Sequence, residues 1–304
     1  EPINSGETLT SETVTGSITL GSDEPRLGVA VNAGVLTGRP TVRPPRSQTG
    51  PNVDGRLDDV IWQSAARINE FVQRTPIEGA PATEDTDVYV AYDSQNIYIG
   101  VHAHYSDPSL IRANRSDRDQ AFRDDTISVY FDTFLDQQRA YVFAVNGYGV
   151  QMDSIMNSRG GGGFGGRGRG GSSRGGSTGL PRGDASWDAL FESGGQLVDD
   201  GFTAEMAIPF KSLRYPQRDR DVPHRWGFQI ARRINGKDET VLWSPYSRAI
   251  SGFLPQMGVL DGMSNLSTSR NIEIMPTFTA IQFGSLDTSG GFPSSTAPEG
   301  GVNF

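Results

Sequence analysis

Short runs in which apolar and polar residues alternate recur along most of the chain, and turn residues separate them. These runs occupy residues 86–92, 97–105, 126–134, 140–146, 187–193, 201–208, 225–234 and 239–243. A period of two puts successive side chains on opposite faces of a strand, and short polar turns such as 93–96 join antiparallel neighbours. Helical periodicity is almost absent. The pattern predicts an all-β fold, a two-sheet antiparallel β-sandwich of jelly-roll type.

The composition divides the chain into three parts. Residues 1–47 are rich in Ser, Thr, Gly and Pro, and they predict a flexible, extended leader. Residues 48–268 hold nearly all the alternating runs and predict the sandwich. Residues 269–304 contain a longer alternating run, 271–284, and then a Ser, Gly and Pro loop. A second strand starts at the very end and lacks a partner, so we expect the natural protein to continue.

A Gly-rich stretch, residues 158–183, interrupts the strand pattern. It carries five arginines and no acidic residue. It has little to bury and cannot offset its own ordering entropy, which predicts a long loop inserted into the sandwich. Arg-Gly tracts also bind single-stranded nucleic acids, and this is the alternative. We favour a solvated loop, because Phe164 is its one aromatic residue and the rest of the chain is acidic.

Charge and cysteine content narrow the functional classes. The formal net charge is −9, which argues against a nucleic acid as the main partner. The chain has no cysteine, so disulfides and thiolate chemistry are excluded, although the compartment stays open. The chain begins with Glu1-Pro2 rather than Met, which suggests a processed protein or a part of a larger one.

Several segments, taken in order, resemble those of carbohydrate-binding module family 9-like domains. They lie at 53–62 (VDGRLDDVIW), 86–93, 97–100, 124–125, 131–134, 187–189, 204–210 and 226–228. Residues 270–276 resemble the first strand of the outer-membrane β-barrel that follows this module in one subgroup. The resemblance implies a sandwich that binds glycans without catalysis, with calcium stabilising its loops. It also implies secretion across the inner membrane, a barrel in the same chain, and a periplasmic or cell-surface location at the outer membrane.

Sugar recognition needs flat aromatic faces together with polar groups for the hydroxyls. Trp243 and Tyr246 lie where a strand runs into a loop, and Trp187 follows the inserted stretch. Trp226 lies within a strand beside Phe228. These four residues are the candidate carbohydrate-binding side chains, and a packing role in the core is the competing interpretation for each of them.

Four carboxylates lie within nine positions: Asp117, Asp119, Asp124 and Asp125. Calcium prefers several oxygen ligands on a flexible loop, so these residues are the candidate calcium site. Arg115, Arg118 and Arg123 lie among them and offer salt bridges as the alternative.

Two histidines, His102 and His104, share one face of the strand 97–105. They are a conceivable metal pair, but no third ligand is evident along the sequence. No nucleophile-elbow, phosphate-loop or zinc-protease signature occurs either. We therefore expect a binding module and no enzyme activity. The alternative function is a structural or assembly module, either barrel-associated or forming homo-oligomers, without sugar binding.

Overall fold

The computed structural model describes residues 39–121, 123–158, 180 and 183–267, and the backbone strands within 275–303. The leader up to residue 38 and nearly all of the Arg-containing stretch lie outside these residues. Within the described part, no helix is long and apolar enough to cross a membrane.

Eight strands form the larger sheet. They are β1 (Thr41–Val42), β3 (Val72–Thr75), β6 (Thr126–Asp132), β7 (Arg139–Asn146), β8 (Gln151–Asn157), β11 (His224–Ile234), β12 (Glu239–Leu242) and β13 (Gly258–Met263). The order is β1-β13-β11-β6-β7-β8, and β12 joins β11 to β3. Neighbours are antiparallel, except that β1 runs parallel to β13.

Five strands form the smaller sheet. They are β2 (Ala66–Ile68), β4 (Thr86–Tyr92), β5 (Asn96–His104), β9 (Glu192–Val198) and β10 (Gly201–Pro209), in the order β2-β4-β5-β10-β9. A helix of one turn, α1 (Val60–Ser64), packs beside β4. Two further strands, β14 (Met275–Gly284) and β15 (Ser294–Asn303), pair with each other. The predicted two-sheet sandwich is confirmed.

The facing sides of the two sheets enclose the main apolar core. Alternate residues point inward, for example Val101 and Ala103 on β5 and Phe131 on β6. Arg232 on β11 is fully buried among them. Its guanidinium donates to Asp85 O at 2.6 Å and to Thr86 Oγ1 at 2.8 Å, so a residue of the larger sheet holds the smaller one.

The segment 53–62, the anchor segment, is held on the smaller sheet by Glu205. This buried carboxylate on β10 accepts hydrogen bonds from Asp54 N (3.0 Å), Gly55 N (2.8 Å) and Trp62 Nε1 (2.7 Å). Gly55 has φ +88°, and a Cβ there would lie 2.6 Å from Gly195 N. The buried acceptor Glu205 therefore requires donors from the Asp-Gly turn and from Trp62. The close approach to the backbone of Gly195 requires a glycine at position 55.

Two local predictions are corrected by the structure. The strand predicted at 187–193 begins at Glu192 and runs to Val198. Its Gly194 and Gly195 lie against the backbone of residues 54–55 and 147–149, where a Cβ would clash. The predicted leader 1–47 ends in β1, which pairs with β13 and so belongs to the larger sheet.

The inserted stretch leaves and rejoins the sandwich at β8, the edge strand of the larger sheet. Ser158 N donates to Gln138 O at 2.8 Å, at the point where the stretch begins. Where it ends, Asp184 and Ile155 exchange two backbone hydrogen bonds, of 2.8 and 3.1 Å. Because both ends meet one strand, the sandwich closes without the inserted residues.

We expect Glu205→Gln to lower the free energy of unfolding by about 1–3 kcal/mol, because the side-chain amide puts an NH₂ group, which can only donate, where three donors converge. Urea denaturation measures this. Glu192→Gln is the matched control, since Glu192 lies on the neighbouring strand and is exposed. Equal stability of the two variants would contradict the assigned role of Glu205.

The same variant tests a pH effect. Burial holds the pKa of Glu205 above its ordinary value of 4.5. Between 4.5 and that raised pKa the folded chain binds more protons than the unfolded chain, so this group's contribution to stability falls as pH rises. We expect the stability difference between wild type and Glu205→Gln to be largest below pH 4.5 and to shrink towards neutral pH. A difference that grows with pH would contradict the sign.

Candidate functional site

One aromatic ring stands out into solvent among the described residues. Phe134 is 54 % exposed, whereas every other described aromatic side chain is buried or half-buried. It lies in the turn between β6 and β7. A ring in this position offers an open apolar face that the sandwich itself does not use.

The backbone around Phe134 is firmly held. The buried carboxylate of Asp132 accepts from Gln137 N at 2.8 Å and from Asp136 N at 3.4 Å. Leu135 N donates to Asp132 O at 3.2 Å, and Leu135 and Gln137 both have positive φ. Burial raises the pKa of Asp132, and the backbone donors of the turn oppose that effect. The turn is therefore preorganised, which reduces the entropy lost when a ligand binds.

The first of two clefts beside the ring has a volume of about 510 Å³. Besides Phe134 it is lined by Asp136, Gln138, Arg139, Asn157 and Ser158. Each of these five side chains can donate or accept hydrogen bonds. An apolar ring next to such groups matches the two surfaces of a sugar, its C–H face and its hydroxyl edge.

The second cleft shares Phe134 with the first and has a volume of about 370 Å³. Its lining includes Phe134, Thr133, Leu135, Pro216, Arg218, Pro223, His224, Arg225, Trp226 and Asp261. Burial lowers the pKa of His224, and Arg218 lowers it further, so this imidazole is neutral at pH 7. Arg218 and Arg225 outnumber Asp261, the acidic residue of this lining, so the cleft has positive character. Asp261 is itself paired with Arg43 at 3.0 Å.

Two of the predicted sugar platforms lie in the core, which corrects their assignment. Trp226 is 1 % exposed and packs against Phe131, Phe210 and Tyr215. Trp243 is 5 % exposed and packs against Phe228. Inward alternation along the larger sheet buries both rings. Trp226 reaches the second cleft as part of its wall, and neither residue offers a free face.

The other two predicted platforms are half-buried and belong to different clusters. Trp187 packs on Tyr141 and Phe143 of the main core, with centroid distances of 5.1 and 5.8 Å. Tyr246 packs on Phe253 in the cluster on the outer face of the larger sheet, and Arg74 lies over its ring at 4.9 Å. The predicted aromatics therefore do not form one site.

The four predicted calcium ligands do not share a site, which corrects that prediction. Within the described residues, no three of Asp117, Asp119, Asp124 and Asp125 have oxygens within 4.8 Å of one another. Asp124 accepts from Asn114 N, Asn114 Nδ2 and Asn146 Nδ2 at 2.7–2.8 Å. Asp125 accepts from Tyr105 Oη, Arg112 N and Asn235 N at 2.6–2.9 Å.

Protein donors thus occupy the oxygens of Asp124 and Asp125. Asp117 is exposed, and Asp119 Oδ1 accepts a hydrogen bond from Asp153 N at 3.1 Å. Arg118 pairs with Asp119, Asp153 and Asp188, which matches the salt-bridged alternative for this stretch. Calcium at any other place in the chain stays a prediction.

The sequence alone does not single out Phe134, because it stands at the end of the alternating run 126–134, just before the polar turn Asp136-Gln137-Gln138. In the structure β6 ends at Asp132, so Phe134 lies in the turn and not in the strand. Single exposed apolar residues are common on protein surfaces, so exposure alone does not identify Phe134 as functional. The two clefts that it lines distinguish it.

The sheets and the exposed, cleft-flanked ring define a β-sandwich with a surface suited to a small polar ligand. Comparison with known families agrees. Residues 53–242 match the family described as carbohydrate family 9 binding domain-like, and the chain belongs to this family. No curated protein matches the chain.

Two solved structures are similar to the chain at low sequence identity. A candidate carbohydrate-binding protein from Bacteroides uniformis is 11 % identical with a TM-score of 0.52, over 73 % of this chain and 98 % of that one. A family 9 carbohydrate-binding module from Caldicellulosiruptor kristjanssonii, in complex with cellotriose, is 13 % identical with a TM-score of 0.45. That alignment covers 75 % of this chain and 96 % of the module.

We expect Asp124→Ala to lower the free energy of unfolding by about 1–3 kcal/mol, because the buried Asn146 Nδ2 would lose one of its two acceptors and Asn114 would lose the acceptor of two hydrogen bonds. Chemical denaturation with and without calcium measures this. Asp117→Ala is the control, and we expect it to change stability by no more than about 0.5 kcal/mol. A loss for Asp124→Ala that appears only when calcium is present would contradict the hydrogen-bonding role.

Proposed function

We propose that this sandwich is a glycan-binding module and that sugar is bound at the Phe134 surface, defined as Phe134 and its two flanking clefts. Membership of the carbohydrate family 9 binding domain-like family supports the class of function. The observation that carries the location is the exposed ring of Phe134 between two clefts rich in hydrogen-bonding groups.

The chemistry of the surface suits a saccharide. A sugar ring buries its C–H face against an aromatic ring, while its hydroxyls need several donors and acceptors at the rim. Gln138, Asn157 and Arg139 supply these in the first cleft. A volume of about 510 Å³ lies within the usual range of ligand pockets, roughly 300–1,000 Å³. Arg218 and Arg225 in the second cleft also favour glycans that carry carboxylates.

Binding without catalysis is the second element of the proposal. The family is one of binding domains, and this supports a recognition role. Calcium is not part of the proposed site, because the predicted calcium carboxylates have protein donors. The residues of this chain carry the proposal of sugar binding. The glucose and cellotriose complexes are those of another protein, a family 9 module.

We also propose an envelope location, with the protein secreted across the inner membrane and associated with the outer membrane at its periplasmic or cell-surface side. The resemblance of residues 270–276 to the first strand of an outer-membrane barrel supports this, and the barrel of the same chain would be the partner. Fractionation of the cells that make the protein tests it. Recovery in the cytosol would contradict the proposal.

A glycan array with neutral and acidic saccharides, followed by calorimetry on each hit, tests the binding site. We expect Phe134→Ala to weaken binding by at least about 10-fold, because a central aromatic contact is lost. Ile250→Ala is the matched control, since Ile250 is also 54 % exposed and lies outside both clefts. Both variants should fold normally by circular dichroism.

Two results would contradict the proposal. Binding that survives Phe134→Ala unchanged would place the sugar elsewhere. A folded protein that binds no glycan, together with a self-association that Phe134→Ala removes, would favour the assembly module. Sedimentation at several protein concentrations provides that second measurement.

A further inference from the structure

The structure supplies the third ligand that the pair His102 and His104 lacks in sequence. Both imidazoles lie on the outer face of β5, and their ring centroids are 3.8 Å apart. Asp200, in the turn between β9 and β10, lies between them. Its Oδ1 is 3.0 Å from His102 Nε2 and its Oδ2 is 2.9 Å from His104 Nδ1.

The second nitrogen of His104 has a partner of its own. Its Nε2 lies 3.4 Å from Asp87 Oδ2 on β4. Asp87 is fixed in turn by Arg67, whose Nε and Nη2 lie 2.9 and 2.7 Å from Asp87 Oδ1. Metal-binding histidines commonly donate their outer N–H to such a carboxylate, which orients the ring and sets the tautomer.

A single carboxylate joins the two rings, because each oxygen of Asp200 faces one imidazole nitrogen. A metal ion held by one nitrogen of each ring and by an Asp200 oxygen would take the place of these two hydrogen bonds.

We propose that His102, His104 and Asp200 bind a divalent transition-metal ion of the Zn²⁺ type, with Asp87 as the orienting carboxylate. The three ligand atoms lie within 4.8 Å of one another. Two imidazoles and one carboxylate suit Zn²⁺, at bond lengths of about 2.0–2.2 Å, and they leave a position for water.

The backbone under the ligands is already in place. Tyr105 N donates to Asp200 O at 2.8 Å, and His104 N donates to Asp85 O at 3.0 Å. The ligands come from β5 and from the β9–β10 turn, and Asp87 from β4. A bound ion would therefore cross-link β5 and the β9–β10 turn, and its ligand His104 would stay in contact with Asp87 on β4. This predicts metal-dependent stability, independently of any glycan.

Calorimetry with ZnCl₂ on the full chain, free of histidine tags and stripped with a chelator, tests the proposal. We expect one equivalent of Zn²⁺ to bind. His104→Ala and Asp200→Ala should abolish this binding, and Asp87→Asn should weaken it by about 10–100-fold. Asp199→Ala is the matched control, because it removes the same charge from the adjacent exposed residue.

Thermal unfolding gives a second readout. Zn²⁺ at 100 times its Kd should raise the Tm of the wild type by about 5 °C or more, and leave that of His104→Ala unchanged. Absence of saturable Zn²⁺ binding would overturn the proposal, and so would equal binding by wild type and His104→Ala. An Asp200→Ala variant that loses stability equally with and without Zn²⁺ would show a histidine–aspartate ion pair only.

Discussion

The buried guanidinium of Arg232 is the interaction on which the arrangement of the two sheets depends. It is carried by the larger sheet and donates to the backbone of the smaller one at Asp85 and His104. Its plane also lies over the ring of Tyr105, 4.5 Å from the centroid, and that tyrosine donates to Asp125 at 2.8 Å. Nη1 and Nη2 carry these hydrogen bonds, whereas the buried Nε has no hydrogen-bond partner among the described residues. Burying a cation is costly, so losing any of the remaining partners would destabilise the fold.

Fixing this region has consequences at both candidate surfaces. Arg232 holds the carbonyl of His104, so the end of β5 that carries the proposed metal ligands cannot slide against β11. Asp125 immediately precedes β6, and Phe134 follows the other end of that strand. A strand of seven residues is about 20 Å long, so this length separates the two ends. The core thus anchors one end of β6 and leaves the other end to present a ring to solvent.

The sheets were predictable from alternation because both have one face on the core. Alternation alone could not say whether Trp226 or Trp243 points inward, since the face is decided by the partner strands, and both proved to be buried. The alternation places Glu205 in a strand but does not reveal its role in the anchor segment, because Gly55 lies about 150 residues away along the chain. Asp200 was likewise out of reach, because strand pairing brings it to histidines 96 and 98 residues distant.

The acidic residues of this chain differ chiefly in what satisfies their oxygens. Asp124, Asp125 and Glu205 are buried, and N–H or O–H donors of the protein occupy them, so each works as an organiser of loops and turns. Asp200 is exposed, and the hydrogen bonds of its side chain are made with two imidazoles, whose ring protons a metal ion can displace into solvent. Sequence spacing favoured the clustered carboxylates at 117–125 as the metal site. Donor chemistry favours the single carboxylate beside the histidines, because a metal ion competes poorly for oxygens that backbone N–H groups already hold.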